Sequence, residues 1–511
     1  MPKFVRKLLR RTTVVALLIA LQGYVLIQAV LRLSSHFVYV YAAFELISLL
    51  AVLWIIGRQD NPSYKLAWIV PILLFPVFGG LFYLMFGGHR VPRTMLRRVR
   101  QSYTDSAGQL CPDPAAQAWL QQCSPGAACQ SDYIQRQAGF PACAGTAVRY
   151  FPTGEAKFAA LLEDLRRARH FIYLEYFIIQ PGQMWDPILA ILEEKAAAGL
   201  DVRVVYDDIG CAYTLPGKYR ETLRAKGIRC HVFNPFRPVM SMLMNNRDHR
   251  KIVSIDGWVG YTGGVNLADE YINVTHPHGR WKDSAVRLEG EAVWSLTVMF
   301  LRMWDYLDGS RSDFAACRPH VWHPAPFEGA GVVQPYGDSP LDNETVGENV
   351  YLGIIGRATR YVWITSPYLI VDNEMVTALC LAAKSGVDVR IITPHVADKW
   401  YVHLVTQAHY QQLLEAGVRI YEFTPGFIHA KSFVCDDCVA TVGTINLDYR
   451  SLYLHFECGV WMYGTPCIAD IRQDFLDTLA VSQEVPSGFS GGISLAKRLV
   501  RALLRLLSPL M

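Results

Sequence analysis

The chain has 511 residues, of which 51% are hydrophobic and 18% charged, with a formal net charge of +4. At roughly 150 residues per domain this is about three domains' worth of chain, and an ordinary soluble protein carries about 25% charged residues. The composition therefore excludes a disordered chain, a coiled coil and a small disulfide scaffold, and so slight a charge makes no case for nucleic acid.

The apolar excess is concentrated at the N-terminus. Residues 12–31, 37–56 and 66–86 are three apolar runs of about the length that spans a bilayer core. The third is interrupted by Pro71, Pro76 and the pair Gly79-Gly80. The first run is too long for a signal peptide and lacks a small-residue cleavage site, so a retained membrane anchor over residues 1–90 is expected. Lys3, Arg6, Lys7, Arg10 and Arg11 precede the first run, and Arg90, Arg93, Arg97, Arg98 and Arg100 follow the third. Cations on both flanks place both ends in the cytoplasm, which requires an even number of crossings. One run then does not fully span; the third is the best candidate for a re-entrant or interfacial piece, and the first, interrupted by Gln22 and Gln28, is the runner-up. Localisation in the cytoplasmic membrane, multi-pass and with the main body facing the cytoplasm, follows.

Residues 91–146 are rich in Ala, Gln, Ser and Cys and read as a linker with short helical pieces. Beyond it strand-like and helix-like patterns alternate. Ala156 to Arg169 has helical periodicity and leads into a buried-strand run, His170 to Ile179. A helix from Pro187 to Ala198 and a strand from Gly199 to Tyr206 follow. Gly386-Val-Asp-Val-Arg-Ile-Ile392 echoes the Gly199 strand, and Gly417-Val-Arg-Ile-Tyr421 echoes Gly227-Ile-Arg-Cys-His231. The offset is too long for a solenoid. The fold class is α/β, with one α/β domain present twice, over residues 147–330 and 331–490, and a ligand site between the copies.

Within that duplication one pattern recurs at identical spacing. His249, Lys251, Asp256, Gly263 and Asn266 in the first copy match His429, Lys431, Asp436, Gly443 and Asn446 in the second. Residues i and i+2 of a strand share a face, so the histidine and lysine of each motif project together. Two histidines meeting at a pseudo-symmetric interface suit a phosphodiester. One attacks phosphorus and the other protonates the leaving alkoxide, while lysines and asparagines hold the phosphoryl oxygens. Asp283 and Glu457 are candidates to orient the histidines, in the logic of hydrolase triads. Asp256 and Asp436 complete the catalytic set, and their place at the far end of the motif strand suits bracing the loop and lysine. Cys435-Asp-Asp-Cys438 resembles half a zinc site, but no second pair stands at ribbon spacing, and the 12 cysteines read as reduced thiols. No metal and no cofactor is expected.

These motifs resemble the paired HKD signatures of the phospholipase D superfamily. The chain is similar to its bacterial cardiolipin synthase branch over nearly its whole length, in Asn61-Pro-Ser-Tyr-Lys-Leu-Ala-Trp68, Tyr150-Phe-Pro-Thr-Gly-Glu155, Leu174-Glu-Tyr-Phe-Ile178, Ser366-Pro-Tyr-Leu369, Thr424-Pro-Gly-Phe-Ile-His-Ala-Lys431 and Asn446-Leu-Asp-Tyr-Arg-Ser451. The serine that many members carry after the motif glycine is Gly264 here in one copy and Thr444 in the other. The resemblance implies two phospholipase D-like domains sharing one active site, and a phosphatidyltransferase joining two phosphatidylglycerol molecules through a phosphatidyl-histidine. Its rivals are a hydrolase of the same superfamily and a non-catalytic binding module. The implied partners are phosphatidylglycerol, other anionic phospholipids and the membrane, not nucleic acid. An oligomer is compatible with the sequence but not required by it. Residues 491–511 close the chain with a basic amphipathic helix: Lys497, Arg498, Arg501 and Arg505 fall on one face and Leu495, Leu499, Leu503, Leu506 and Leu510 on the other. Its expected place is on anionic lipid.

Overall fold

The computed structural model describes residues 35–75, 93–235, 245–342, 344–489 and 495–510, together with 20, 24, 28, 79, 80, 83 and 87. The chain divides into two compact units. One comprises residues 1–91, 236–244 and 505–511, the other residues 92–235 and 245–504.

In the first unit, helix α1 (Ser35–Ile56) is followed by α2 (Pro62–Leu74). Asn61 caps α2 by accepting the Ser63 N–H at 2.9 Å, and Pro62 takes the first helical position, where no amide donor is needed. Ala51, Val52 and Ile55 of α1 pack with Tyr64, Trp68 and Ile72 of α2 and with Tyr83. Gly79 and Gly80 permit a close approach. A Cβ at Gly79 would stand 2.5 Å from Ile72 Cα, and one at Gly80 would stand 2.9 Å from Ser48 Cα. Leu49, Leu50, Leu53 and Trp54 of α1, and Leu66, Leu73 and Leu74 of α2, remain exposed. The expected run 37–56 falls within α1, and the run 66–86 is helical through Leu74 despite Pro71. Apart from residues 20, 24 and 28, the run 12–31 lies outside the described residues. Among the described residues no helix is long and apolar enough to cross a membrane.

The second unit holds the duplicated body. Its first sheet has the order β1-β9-β7-β6-β2-β3-β4, from β1 (Thr146–Phe151), β2 (Phe171–Tyr176), β3 (Asp201–Asp207), β4 (Arg229–Phe233), β6 (Ile252–Ile255), β7 (Val259–Gly263) and β9 (Ala285–Gly290). The second sheet repeats that order as β10-β19-β17-β16-β11-β13-β14, with β20 (Ser482–Glu484) added at its edge. Its strands are β10 (Val332–Asp338), β11 (Tyr361–Thr365), β13 (Asp388–Pro394), β14 (Arg419–Phe423), β16 (Ser432–Cys435), β17 (Val439–Gly443) and β19 (His455–Tyr463). In each sheet the βαβ-connected strands run parallel (β2-β3-β4 and β11-β13-β14), and the motif-bearing strands run antiparallel to them. Helix α3 (Gly154–Arg167), capped by Thr153, and α4 (Trp185–Ala197) serve the first sheet. The buried α5 (Val293–Asp308) touches β6 of the first sheet and β10 of the second, so the two copies share a core.

Two short parallel ladders cross between the copies. β5 (Arg247–Asp248) pairs with β19, and β8 (Arg280–Lys282) pairs with β15 (Gly426–Ile428). The stretch read as a linker is part of the core instead. Ala116, Leu120, Ala127, Ala128, Ile134 and Phe140 pack into the apolar cluster of the second copy, and Gln334 donates to the carbonyls of Ser131 (3.0 Å) and Phe140 (2.8 Å). Its alanines allow short helices to lie close to the sheet, a form of burial that a polar-rich composition conceals.

Candidate active site

The crossed ladders set the site. The two residues preceding His249 pair with β19, and the His249 N–H donates to the Phe456 carbonyl at 2.9 Å. The residues preceding His429 pair with β8, and the His429 N–H donates to the Lys282 carbonyl at 2.7 Å. Each motif histidine is therefore laid beside the strand of the opposite copy, whose next residue is the carboxylate. Nδ1 of His249 meets Glu457 Oε1 at 2.9 Å, and Nδ1 of His429 meets Asp283 Oδ2 at 2.7 Å. Neither copy holds a complete site.

The motif glycines permit this. A Cβ at Gly263 would stand 2.6 Å from Ala285 Cα, and one at Gly443 would stand 2.6 Å from Gly459 Cα. Any side chain there would push away the strand that carries the carboxylate. Lys251 and Lys431 are buried, and each donates to the carbonyl of its own motif histidine, Lys251 at 2.6 Å. Lys251 is near enough to depress the pKa of both His429 and Lys431, so the charges of the two motifs act on one another.

The family described as "Cardiolipin synthase, PLD-like domain" matches residues 161–304 and 351–479, and "Phospholipase_D-nuclease N-terminal" matches residues 46–88. A cardiolipin synthase of Geobacillus sp. (strain WCH70) is 34% identical over 476 residues, covering 91% of this chain and 92% of its own. The chain belongs to the cardiolipin synthase family of phospholipase D-like proteins. An uncharacterised protein of Streptococcus mutans serotype c is 43% identical over 464 residues, covering 90% of this chain and 99% of its own. The crystal structure of phosphatidylserine synthase from Haemophilus influenzae Rd KW20 shares the fold, with a TM-score of 0.56 at 14% identity, covering 75% of this chain and 99% of that one.

Within this family frame, the environment of each group follows from burial. Burial pulls His249 down to about 3 against the opposing pull of Glu457, and it pulls His429 down to about 4, helped by the like charge of Lys431. On Asp283 and Glu457 burial works against the charge, but the facing imidazoles outweigh it and hold both carboxyls below their ordinary values. Burial also brings Lys251 to about 8 and Lys431 to about 7. A lysine must be charged to attract a phosphate, and these two lose their protons as pH rises through their lowered values. The expected result is a fall of kcat/KM for an anionic lipid between about pH 7 and 9, below the range of an unperturbed lysine near 10.4. A pH series at fixed ionic strength measures it, and a profile flat to pH 10 contradicts it.

Asp256 and Asp436 stand at the far end of the motif strand, as their spacing indicates, and brace the start of a neighbouring strand, which corrects only their place in the catalytic set and the lysine as what they hold. Each sits with positive φ in the turn after its motif strand, 50° and 52° respectively. Asp256 accepts the backbone N–H groups of Arg169, His170 and Phe171 at 2.8–2.9 Å. Asp436 accepts those of Thr359, Arg360 and Tyr361 at 2.7–2.9 Å. These contacts lie at the start of β2 and β11, at the opposite end of the motif strand from the histidines by strand register. The aspartates tie the two central strands together. Asp256→Ala is expected to cost about 2–4 kcal/mol of stability while leaving kcat per folded molecule near wild type. A large loss of kcat at unchanged melting temperature contradicts this.

Asn266 Oδ1 accepts the Ile178 N–H at 3.1 Å and its Nδ2 donates to the Tyr271 hydroxyl at 2.7 Å, whereas Asn446 is buried with Oδ1 unpartnered. Thr444 donates its hydroxyl to Glu457. Gly264 has no counterpart to this contact, and a Cβ there would stand 2.0 Å from Asp283 Oδ1. Three groups escaped the sequence reading. Lys157, on α3, is buried against the Tyr176 hydroxyl (2.9 Å) and the Val265 carbonyl (3.3 Å), and burial lowers it to about 7. Nothing in its helical context distinguishes it from a surface lysine. Phe177 stacks edge-on against His249 at 5.0 Å. His455 stands two residues before Glu457, and only knowledge of which histidine Glu457 serves gives it meaning. His249, His455 and Glu457 have donor atoms within 4.8 Å of one another. Glu457 is already hydrogen-bonded to His249 and Thr444, which leaves it a poor ligand for an ion. All 12 cysteines are free thiols, Cys435 and Cys438 included.

Proposed function

We propose that this chain joins two phosphatidylglycerol molecules into cardiolipin and releases glycerol. The crossed histidine–carboxylate pairs carry this reading. With Nδ1 of each imidazole bound to a carboxylate, each Nε2 faces the opposite way, toward a shared phosphodiester. His249 Nε2 attacks phosphorus, and the P–O bond to the departing glycerol breaks as His429 gives that oxygen a proton. The terminal hydroxyl of a second lipid then loses its proton to His429 and attacks phosphorus, and the P–N bond breaks. The phosphodiester anion itself raises the proton affinity of His429, whose free-state pKa is too low for an acid. Lys251, Lys431, Asn266 and Asn446 hold the phosphoryl oxygens as charge develops. Exclusion of water from the intermediate separates transfer from hydrolysis. Purified protein incubated with phosphatidylglycerol tests this: cardiolipin and glycerol support it, while phosphatidic acid as the main product favours hydrolysis.

A membrane setting supports the same reading. The apolar runs, their cationic flanks and the exposed leucines of α1 and α2 suit a multi-pass anchor with the catalytic body in the cytoplasm. At the other end of the chain, α6 (Leu495–Leu507) leaves Leu499 and Leu503 exposed, so this part of the leucine stripe is not docked on the body. Arg501 is instead the buried one, donating to Gln407 Oε1 at 2.6 Å and lying 5.3 Å over Phe489. The helix is thus held by a polar contact at Arg501 with Leu499 and Leu503 outward, as suits a lipid surface. Deleting residues 495–511 is expected to lower activity on bilayers more than on detergent-dispersed lipid. Equal losses in both assays contradict this.

A further inference from the structure

We propose that His455 is a positioning residue for His249 and that, with Trp281 in the equivalent place of the other copy, it decides which motif histidine attacks phosphorus. This rests on His249 being the nucleophile. Asp283 and Glu457 are the equivalent carboxylates of the two copies, and two residues before each stands Trp281 or His455. The equivalence extends to space. The Trp281 ring lies 5.5 Å from that of His429, and the His455 ring lies 5.6 Å from that of His249. The site therefore has an indole beside one histidine and an imidazole beside the other.

His455 is only 9% exposed, and neither of its ring nitrogens has a hydrogen-bond partner. Its Nδ1 lies 3.6 Å from Glu457 Oε1, the oxygen that also meets His249. A buried imidazole with unsatisfied nitrogens is costly for packing alone. Beside Glu457 it has a use. It competes for the carboxylate charge that would otherwise favour a proton on His249, and its presence lowers the proton affinity of that imidazole. His249 is then held with a lone pair available for attack. Trp281 brings no second imidazole to Asp283, which faces His429 and Lys431, so His429 is left the better holder of the proton that the leaving group needs.

The other groups around His455 do not replace this effect. Asp448 and Glu457 are the acids that face it, and Lys251 faces Glu457 and His249 from the motif. On β5, whose backbone pairs with His455 and Phe456, Arg247 is bound to Asp207 and Asp248 to Arg250.

The test uses the full-length protein with phosphatidylglycerol in mixed micelles, comparing His455→Asn and Trp281→His with wild type across pH. His455→Asn is expected to move the acid limb of kcat/KM upward by about one unit, because His249 protonates more readily. Trp281→His is expected to move the basic limb of kcat downward, because a new imidazole draws the proton from His429. A uniform loss of rate with both limbs in place overturns the proposal and leaves His455 a packing residue. Mapping the phosphohistidine in the same wild-type sample keeps the two readings apart. Label on His429 refutes the nucleophile assignment whatever the limbs do, while label on His249 with unmoved limbs refutes the role of His455 alone.

Discussion

His249→Ala and His429→Ala are each expected to reduce cardiolipin formation by about 10⁴-fold or more, because each histidine performs a different step of one cycle. The two losses are expected to differ in kind. Without His429 the nucleophile and its carboxylate Glu457 remain, so a substrate whose leaving group needs no proton still forms the covalent intermediate. Without His249 it does not. Thermal unfolding midpoints close to wild type separate this outcome from misfolding. Retention of a tenth of the activity by either variant contradicts the division of roles.

Glu457→Gln and Asp283→Asn have the next largest expected effect, a loss of about 10³–10⁴-fold each, the scale seen when a histidine loses its orienting carboxylate. Both carboxylates are fully buried, so an amide also leaves the imidazole with a neutral partner and the wrong hydrogen-bond pattern. The crossing gives this prediction its specificity. In double-mutant cycles Glu457 is expected to couple to His249, across the two copies, and Asp283 to His429. Coupling of Glu457 to His429 instead contradicts the crossed geometry.

The chemistry was largely legible in the sequence, because a catalytic pattern repeated at one spacing is visible without any coordinates. So was the duplicated α/β body, since β3 and β13 carry nearly the same phrase in parallel-strand surroundings. The crossing was not legible. Asp283 and Glu457 follow their motifs at comparable offsets, and only the ladders β5–β19 and β8–β15 show that each serves the other copy. The far-end position of the motif aspartates is legible in the spacing, but what they hold is not: the start of a neighbouring strand, which only the fold brings to them. The helices of residues 91–146 look like a linker in sequence because small residues bury well without producing a hydrophobic run. His455 was invisible for a related reason: its meaning depends on His249, more than 200 residues away.

Two copies build one site with unlike histidines, one of which is expected to carry the phosphatidyl group. The most direct measurement is an alkaline quench of wild-type protein turning over phosphatidylglycerol, followed by mapping of the modified peptide. A single phosphatidyl group is expected on the peptide containing His249, and none on it in Glu457→Gln. Label on the peptide containing His429, or turnover without any covalent intermediate, contradicts it.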